Sequence, residues 1–283
     1  MDYINPSELI EEMLRAAKRK AGLSVSDMLL RAALAGVFLG FATSMVFMVQ
    51  VQGVPPIVGA LLFPVGFVML VLLGLELATG NFAILPPGVA AGQVTMAQLL
   101  RNWFWVYVGN LAGSLGYALL FYLAITNCGL NNGGPLGDLL RAAAQKKTVG
   151  YMAAGGAGWA TALIKAVLCN WMVTVGALMA MVSRSTIGKI AAMWLPILTF
   201  FAQGYEHSIV NMFVIPAGMM LKAPVTLGNW WLWNQVPVTI GNILSGSLFT
   251  GLALYSTLRA KAAPEPVLTE AASAPELAGA PAR

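Results

Sequence analysis

The stretch QGYEHSIVNM, residues 203–212, sets Glu206 beside His207 inside an apolar run, and His207 is the only histidine in the chain. Glu76 and Lys165 are the other charged residues that fall within such runs. Ionisable groups at membrane depth are costly unless paired or wet, so each is a candidate for function. Imidazole titrates near neutrality, so His207 can give a small anion a hydrogen bond or a proton. Hydrolysis would need a nucleophile with a base at hand. Ser208 is adjacent to His207, but helix neighbours point apart, and there is no second histidine. One histidine and two scattered cysteines, Cys128 and Cys169, offer neither a metal-ligand set nor a disulfide framework, so no metal or cofactor is expected.

The elements that position these residues are membrane helices. The chain has 283 residues, 58% hydrophobic and only 10% charged, where a soluble domain is about a quarter charged. Its polar, acidic start lacks the basic region and short apolar core of a cleaved signal. Apolar segments near 31–52, 56–92, 102–126, 152–182, 187–221 and 235–258 read as six spans of about 20 residues or more. The second and fifth are too long for plain helices and contain GLELATGN (74–81) and FAQGYEHS (201–208). Polar backbone at that depth is tolerated where it faces protein or a water-filled cavity. Each therefore reads as two half-helices meeting at a non-helical loop.

Lysines and arginines assign the sides. Arg15, Lys18, Arg19, Lys20, Arg31, Arg101, Arg184, Lys189, Arg259, Lys261 and Arg283 fall on one side, against Arg141, Lys146, Lys147 and Lys222 on the other. Both termini are expected in the cytoplasm of a multi-pass inner-membrane protein. The net +5 charge is then a topology signal and implies no nucleic acid. NPSELIEEML opens an amphipathic helix with Asn5 as cap and Pro6 first, within a cytoplasmic segment 1–27. It lies on the membrane surface or packs on a neighbouring subunit. The tail, 261–283, is rich in Ala, Pro and Glu and reads as disordered. Loop 127–150 is Gly- and Asn-rich and faces outside.

Within the membrane domain, 28–260, the breaks repeat. Glu76 to Asn81 and Glu206 to Asn211 are both E-x-x-x-x-N, and Gly109-Asn110 matches Gly241-Asn242 downstream, at an offset of about 130 residues. Three spans per half, about 28–126 and 150–260, make an inverted repeat with broken helices at matching positions. The small residues Gly109, Gly113, Gly241 and Ser245 read as close helix packing. Carboxylates lining a pore would repel an anion, so Glu76 and Glu206 read as buried acceptors for loop and half-helix N–H groups. Lys165 either pairs with a carboxylate, snorkels, or raises the local potential for an anion.

Taken together, GYEHSIVNM, CNWMV, ELATGN, NW…GNLAGS and PVTIGNILSG resemble the formate/nitrite transporter family over roughly residues 5–260. The resemblance implies an all-α, aquaporin-like bundle of six spans, assembled in the lipid membrane as a homo-pentamer with a pore in each protomer. It implies transport of small monovalent anions such as nitrite, formate or hydrosulfide, often coupled to protons. By similarity His207 is the central pore histidine, Thr79 the threonine of the first broken loop, and Asn170 the asparagine bonding near the histidine. Phe63 matches an aromatic of the cytoplasmic constriction, Phe200 one of the periplasmic constriction, and Phe67 a position often held by leucine. Lys146 or Lys147 stands near the family lysine, at a longer spacing from Asn170. CNWMV and GYEHS lean slightly to nitrite-type members. Other short monocarboxylates are an alternative. A neutral-solute channel of aquaporin type would carry Asn-Pro-Ala boxes at the breaks, and neither break has one.

Overall fold

The computed structural model describes residues 2–259; the tail read as disordered, 261–283, lies outside them. Among the described residues, regular structure is helical apart from an isolated bridge between Tyr3 and Ser183. Helix α1 (Pro6–Ala21) starts where the Asn5 side chain accepts from the Ser7 and Glu8 N–H groups, and ends on Lys18, Arg19 and Lys20, cations suited to the negative end of the helix dipole. Its apolar face, Ile10 and Met13 with Leu14, packs on Leu178 and on Leu254, Tyr255 and Leu258 of the same chain. The face expected against lipid or a neighbour is thus covered within the protomer.

Among the described residues, four helices are long and apolar enough to cross a membrane: α2 (Val25–Val51), α6 (Met96–Ile125), α9 (Gly155–Met181) and the composite Leu227–Leu258. The composite runs α12 (Leu227–Trp230), a π-helical turn (Trp231–Gln235), α13 (Val236–Leu244), a second π segment (Ser245–Leu252) and α14 (Ala253–Leu258). Shorter apolar helices lie between the long ones. The first set is α3 (Pro56–Leu62), α4 (Pro64–Leu72) and α5 (Ala78–Ala90); the second is α10 (Thr186–Ala202) and α11 (Ser208–Met220). The chain leaves helix at 73–77 and at 203–207. Both exits turn on a left-handed glycine, Gly74 and Gly204, each with φ of 65°. Each exit closes with an N–H bond from the next residue back to the last turn, Leu75 to the Leu70 carbonyl (2.9 Å) and Tyr205 to that of Phe200 (3.3 Å).

The loop expected over 127–150 is largely helix: α7 runs Gly134–Lys147, followed by a short α8 (Val149–Ala153). Pro135 suits its first turn, and Leu136, Leu140 and Ala144 share a buried face at i, i+4, i+8 spacing. The glycines of GGPLG outweigh that short pattern in a sequence reading. Lys147 thereby sits in the last turn of α7, as Lys20 does in α1.

The small residues are contact points. A Cβ on Gly113 would run into the Ala33 carbonyl, and one on Gly241 would lie 2.5 Å from the Leu163 carbonyl oxygen and 2.7 Å from Ala166 Cβ. Backbone cannot yield there as a side chain can. Gly241→Val is expected to destabilise by about 1–3 kcal/mol, the usual cost of overpacking. Thermal unfolding of the detergent-solubilised protein measures it, and an unchanged midpoint would refute the contact. Away from the core, Leu30, Leu34, Phe41, Phe104 and Leu120 are half or more exposed, an apolar exterior suited to lipid or a neighbouring subunit.

Candidate functional site

Both breaks are closed by the same side chains. Asn110 Oδ1 accepts the Ala78 N–H (2.9 Å), while Asn110 Nδ2 donates to the carbonyls of Ala32 (2.8 Å) and Glu76 (3.0 Å). Asn242 repeats this, accepting from Ser208 N–H (3.0 Å) and donating to the carbonyls of Ala166 (2.8 Å) and Glu206 (3.1 Å). The first N–H of α5 and of α11 is therefore met by an asparagine from another helix.

The carboxylates do different work from that expected of them. Glu76 takes the Lys20 ammonium on Oε1 (2.8 Å) and the Asn81 amide on Oε2 (2.7 Å). Glu206 takes the Lys147 ammonium and the Asn211 amide on Oε2, both at 2.8 Å, and the Tyr151 hydroxyl on Oε1 (2.8 Å). Each is 3% exposed, so these donors replace water around a buried charge. Side chains, not half-helix N–H groups, fill the lone pairs. Asn102 and Asn234 complete the sets, bonding Asn81 and Asn211 and donating to the carbonyls of Lys20 and Lys147.

Lys20, Asn102, Asn234 and Tyr151 are absent from the expected site. A signal for two of them was present: Asn102 precedes Asn110, and Asn234 precedes Asn242, by eight residues each. Lys20 reads as one more topology lysine, because nothing in sequence joins it to Glu76. Of the two candidate lysines near 147, Lys147 reaches Glu206. Lys165, half-buried, contributes its carbonyl to the Glu206 N–H (3.4 Å), and no ion pair of its ammonium occurs among the described residues.

At the end of the second break stands the chain's only histidine. His207 caps α11: Nδ1 accepts the Val210 N–H at 3.2 Å. An accepting Nδ1 carries no proton, so by this geometry the neutral ring has its N–H on Nε2. Nε2 lies 3.0 Å from Thr79 Oγ1, in the first turn of α5. The N-terminal ends of α5 and α11, each the positive end of a helix dipole, meet at this contact. Leu77 stands where α11 has His207, so α5 lacks a capping side chain, and the space beside Gly80 is open, with no atom within 4 Å of a notional Cβ. Asn170 Nδ2 donates to the carbonyls of Thr79 (3.1 Å) and Asn242 (2.7 Å), binding α9 to α5 and α13. Asn170 therefore holds the threonine backbone, and its amide N–H groups go to backbone carbonyls and not to the histidine ring. Asn170 Oδ1 and Ser208 Oγ are buried and have no partner among the described residues.

The aromatic assignments need correction. Phe63 and Phe200, expected in constrictions on opposite sides, meet edge to face at 5.7 Å between centroids. Phe200 lies 5.9 Å from the His207 ring, tilted by 24°. Both belong to one buried cluster, because Phe63 lies at the α3–α4 junction and Phe200 in the last turn of α10. Phe67, one turn further along α4, instead lines a cavity of about 530 Å³ with Leu77, Gly80 and the cations Arg19, Lys20 and Arg31. A cavity with more cations than carboxylates thus reaches the first break; its Lys20 is paired with Glu76, which also lines it, as Lys147 is paired with Glu206.

Known proteins resemble this chain over nearly its whole length. A family model described as formate/nitrite transporter matches residues 7–256. A "Probable formate transporter" of Methanothermobacter thermautotrophicus is 32% identical, the match covering 90% of this chain and 97% of that protein. "Formate channel BtFdhC" of Bacillus thuringiensis is 31% identical over 90% of this chain and 96% of that one. Among solved structures, one titled "FNT family ion channel" superposes with a TM-score of 0.78 at 29% identity, covering 88% of this chain and 98% of that one. Another, titled "Pentameric formate channel with formate bound", gives 0.68 at 27% identity, with coverage of 82% and 96%.

Proposed function

The chain belongs to the formate/nitrite transporter family, and from that premise we propose that it carries a small monovalent anion, formate first, past His207 and Thr79. Membership makes it a multi-pass membrane protein of a transporter family. The carrying observation is the buried pair itself: one N–H, on Nε2 of a neutral ring, 3.0 Å from a hydroxyl, where two helix N-termini converge. Both groups can donate to an anion that has shed its water. Phe67 on one side and Phe63 with Phe200 on the other are apolar barriers that a bare charge crosses only at high cost. Arg19 and Arg31, at the cavity mouth, raise the anion concentration there.

The proton enters this proposal as a shared hydrogen bond. The anion reaches Nε2–H and Thr79 Oγ1, and it either crosses hydrogen-bonded or crosses as the neutral acid with a proton taken from solvent, His207 staying neutral throughout. Formate is placed ahead of nitrite because the relatives above are named for formate, which outweighs the lean of two short motifs. We read the matched networks at Glu76 and Glu206 as an aquaporin-like inverted repeat of three plus three crossings, with both termini in the cytoplasm. The likeness to a pentameric channel supports reading the assembly as a homo-pentamer with one path per protomer.

Uptake of formate, nitrite and hydrosulfide by proteoliposomes, measured in parallel with and without an inward proton gradient, tests the proposal. Saturable or channel-like formate uptake that exceeds nitrite uptake is expected. Uptake of none of the three by intact assemblies would overturn it, and faster nitrite uptake would reverse the substrate order.

A further inference from the structure

Phe201 is not part of the proposed path, yet it makes the closest ring contact in the aromatic cluster. Its ring stacks on Phe63 with centroids 3.9 Å apart and planes 19° apart. Phe63 in turn stands edge-on to Phe200 (5.7 Å, 89°), Phe200 stacks on His207 (5.9 Å, 24°), and Phe200 and Phe201 are themselves 6.1 Å apart. The three phenylalanines close a triangle with His207 behind one corner. Phe63 and Phe200 are buried, whereas Phe201 is only partly so, lying on the outer side of Phe63.

Phe63 sits between α3 and α4, immediately before Pro64, and proline restricts the residue that precedes it. The α3 side of this junction is tied to α10 by the Trp194 indole N–H, which donates to the Leu61 carbonyl (3.1 Å). Phe201, in the same helix as Trp194, adds the ring-on-ring contact.

We infer that Phe201 is a positioning residue that fixes the Phe63 ring against Phe200 and thereby sets the width of the apolar barrier beside His207. It acts through Phe63 and need not touch the solute. Without Phe201, the Phe63 ring gains freedom to swing away from Phe200, and the barrier admits bulkier monocarboxylates. This inference rests on the transport path proposed above.

The test uses the full-length protein with Phe201→Val, Phe201→Ala and the conservative Phe201→Tyr. Proteoliposome uptake of acetate and lactate is measured relative to formate. The ratio is expected to rise roughly two- to tenfold in the Val and Ala variants, the factor one aromatic pair can carry, and to return toward wild type in the Tyr variant. Equal falls for all three solutes, or a Tyr variant that behaves like Val, would assign Phe201 to general packing and overturn the inference. A second readout is independent of any solute: fluorine NMR of ring-labelled Phe63 in wild type and Phe201→Val. Faster ring motion in the variant supports the inference, and an unchanged rate overturns it. If wild type carries no anion, the transport proposal fails, while the ring measurement still decides whether Phe201 immobilises Phe63.

Discussion

Replacing His207 with Phe is expected to leave an assembled protein whose formate flux falls about 10- to 100-fold, since a hydrogen bond to a charged partner contributes about 1.5–3 kcal/mol. The ring fills similar space and keeps its stacking on Phe200, so packing changes little. What is lost is the Nε2–H, 3.0 Å from Thr79 Oγ1, the one ring donor the geometry offers at the centre. The substitution also removes the Val210 cap, costing about 1 kcal/mol of stability. His207→Asn separates the two effects. Its side-chain oxygen can still cap α11, but the shorter side chain does not reach Thr79. Flux should fall in both variants and stability mainly in the Phe variant. Wild-type flux in both at every pH would remove His207 from the path.

The second large effect is expected at the buried ion pair. Lys147→Met strands the Glu206 carboxylate, which is 4% exposed in its side chain and 2.8 Å from the lysine nitrogen. Removing one member of a buried pair costs about 3–5 kcal/mol, and the lysine's 23% exposure argues for the lower end. The Tyr151 hydroxyl and Asn211 amide remain on the carboxylate but supply no charge. Pairing Lys147→Met with Glu206→Gln removes the stranded charge and should recover much of the loss, a coupling that a double-mutant cycle measures in thermal unfolding. Lys20→Met and Glu76→Gln should behave alike, because Lys20 lies 2.8 Å from a Glu76 side chain that is 4% exposed. A Lys147→Met protein as stable as wild type would show that the pair carries no net stability.

The parts of this site legible in sequence are those that break a pattern. Glu206 and His207 interrupt an apolar run, and the spacings from Glu76 to Asn81 and Asn110 match those from Glu206 to Asn211 and Asn242 (5 and 5, 34 and 36 residues), so the carboxylates and asparagines at the breaks could be found by position alone. Their partners could not. Lys20 and Lys147 lie 56 and 59 residues from the glutamates they bond, and long-range pairing leaves no local mark. Helix α7 was hidden by glycines that mark turns elsewhere. Phe63 and Phe200 were recognised individually, but whether two aromatics face the same side of a path depends on where each half-helix ends. Only the placement of the α3–α4 junction against the last turn of α10 decides that.

Because His207 is the chain's only histidine, nitrogen NMR of protein labelled in histidine alone reports the central group without ambiguity. Recorded on reconstituted protein while formate is added, the spectrum should show a pyridine-type Nδ1 and a proton-bearing Nε2, with Nε2 shifting as formate binds. An N–H found on Nδ1, or an Nε2 indifferent to formate at concentrations that sustain uptake, would contradict the account.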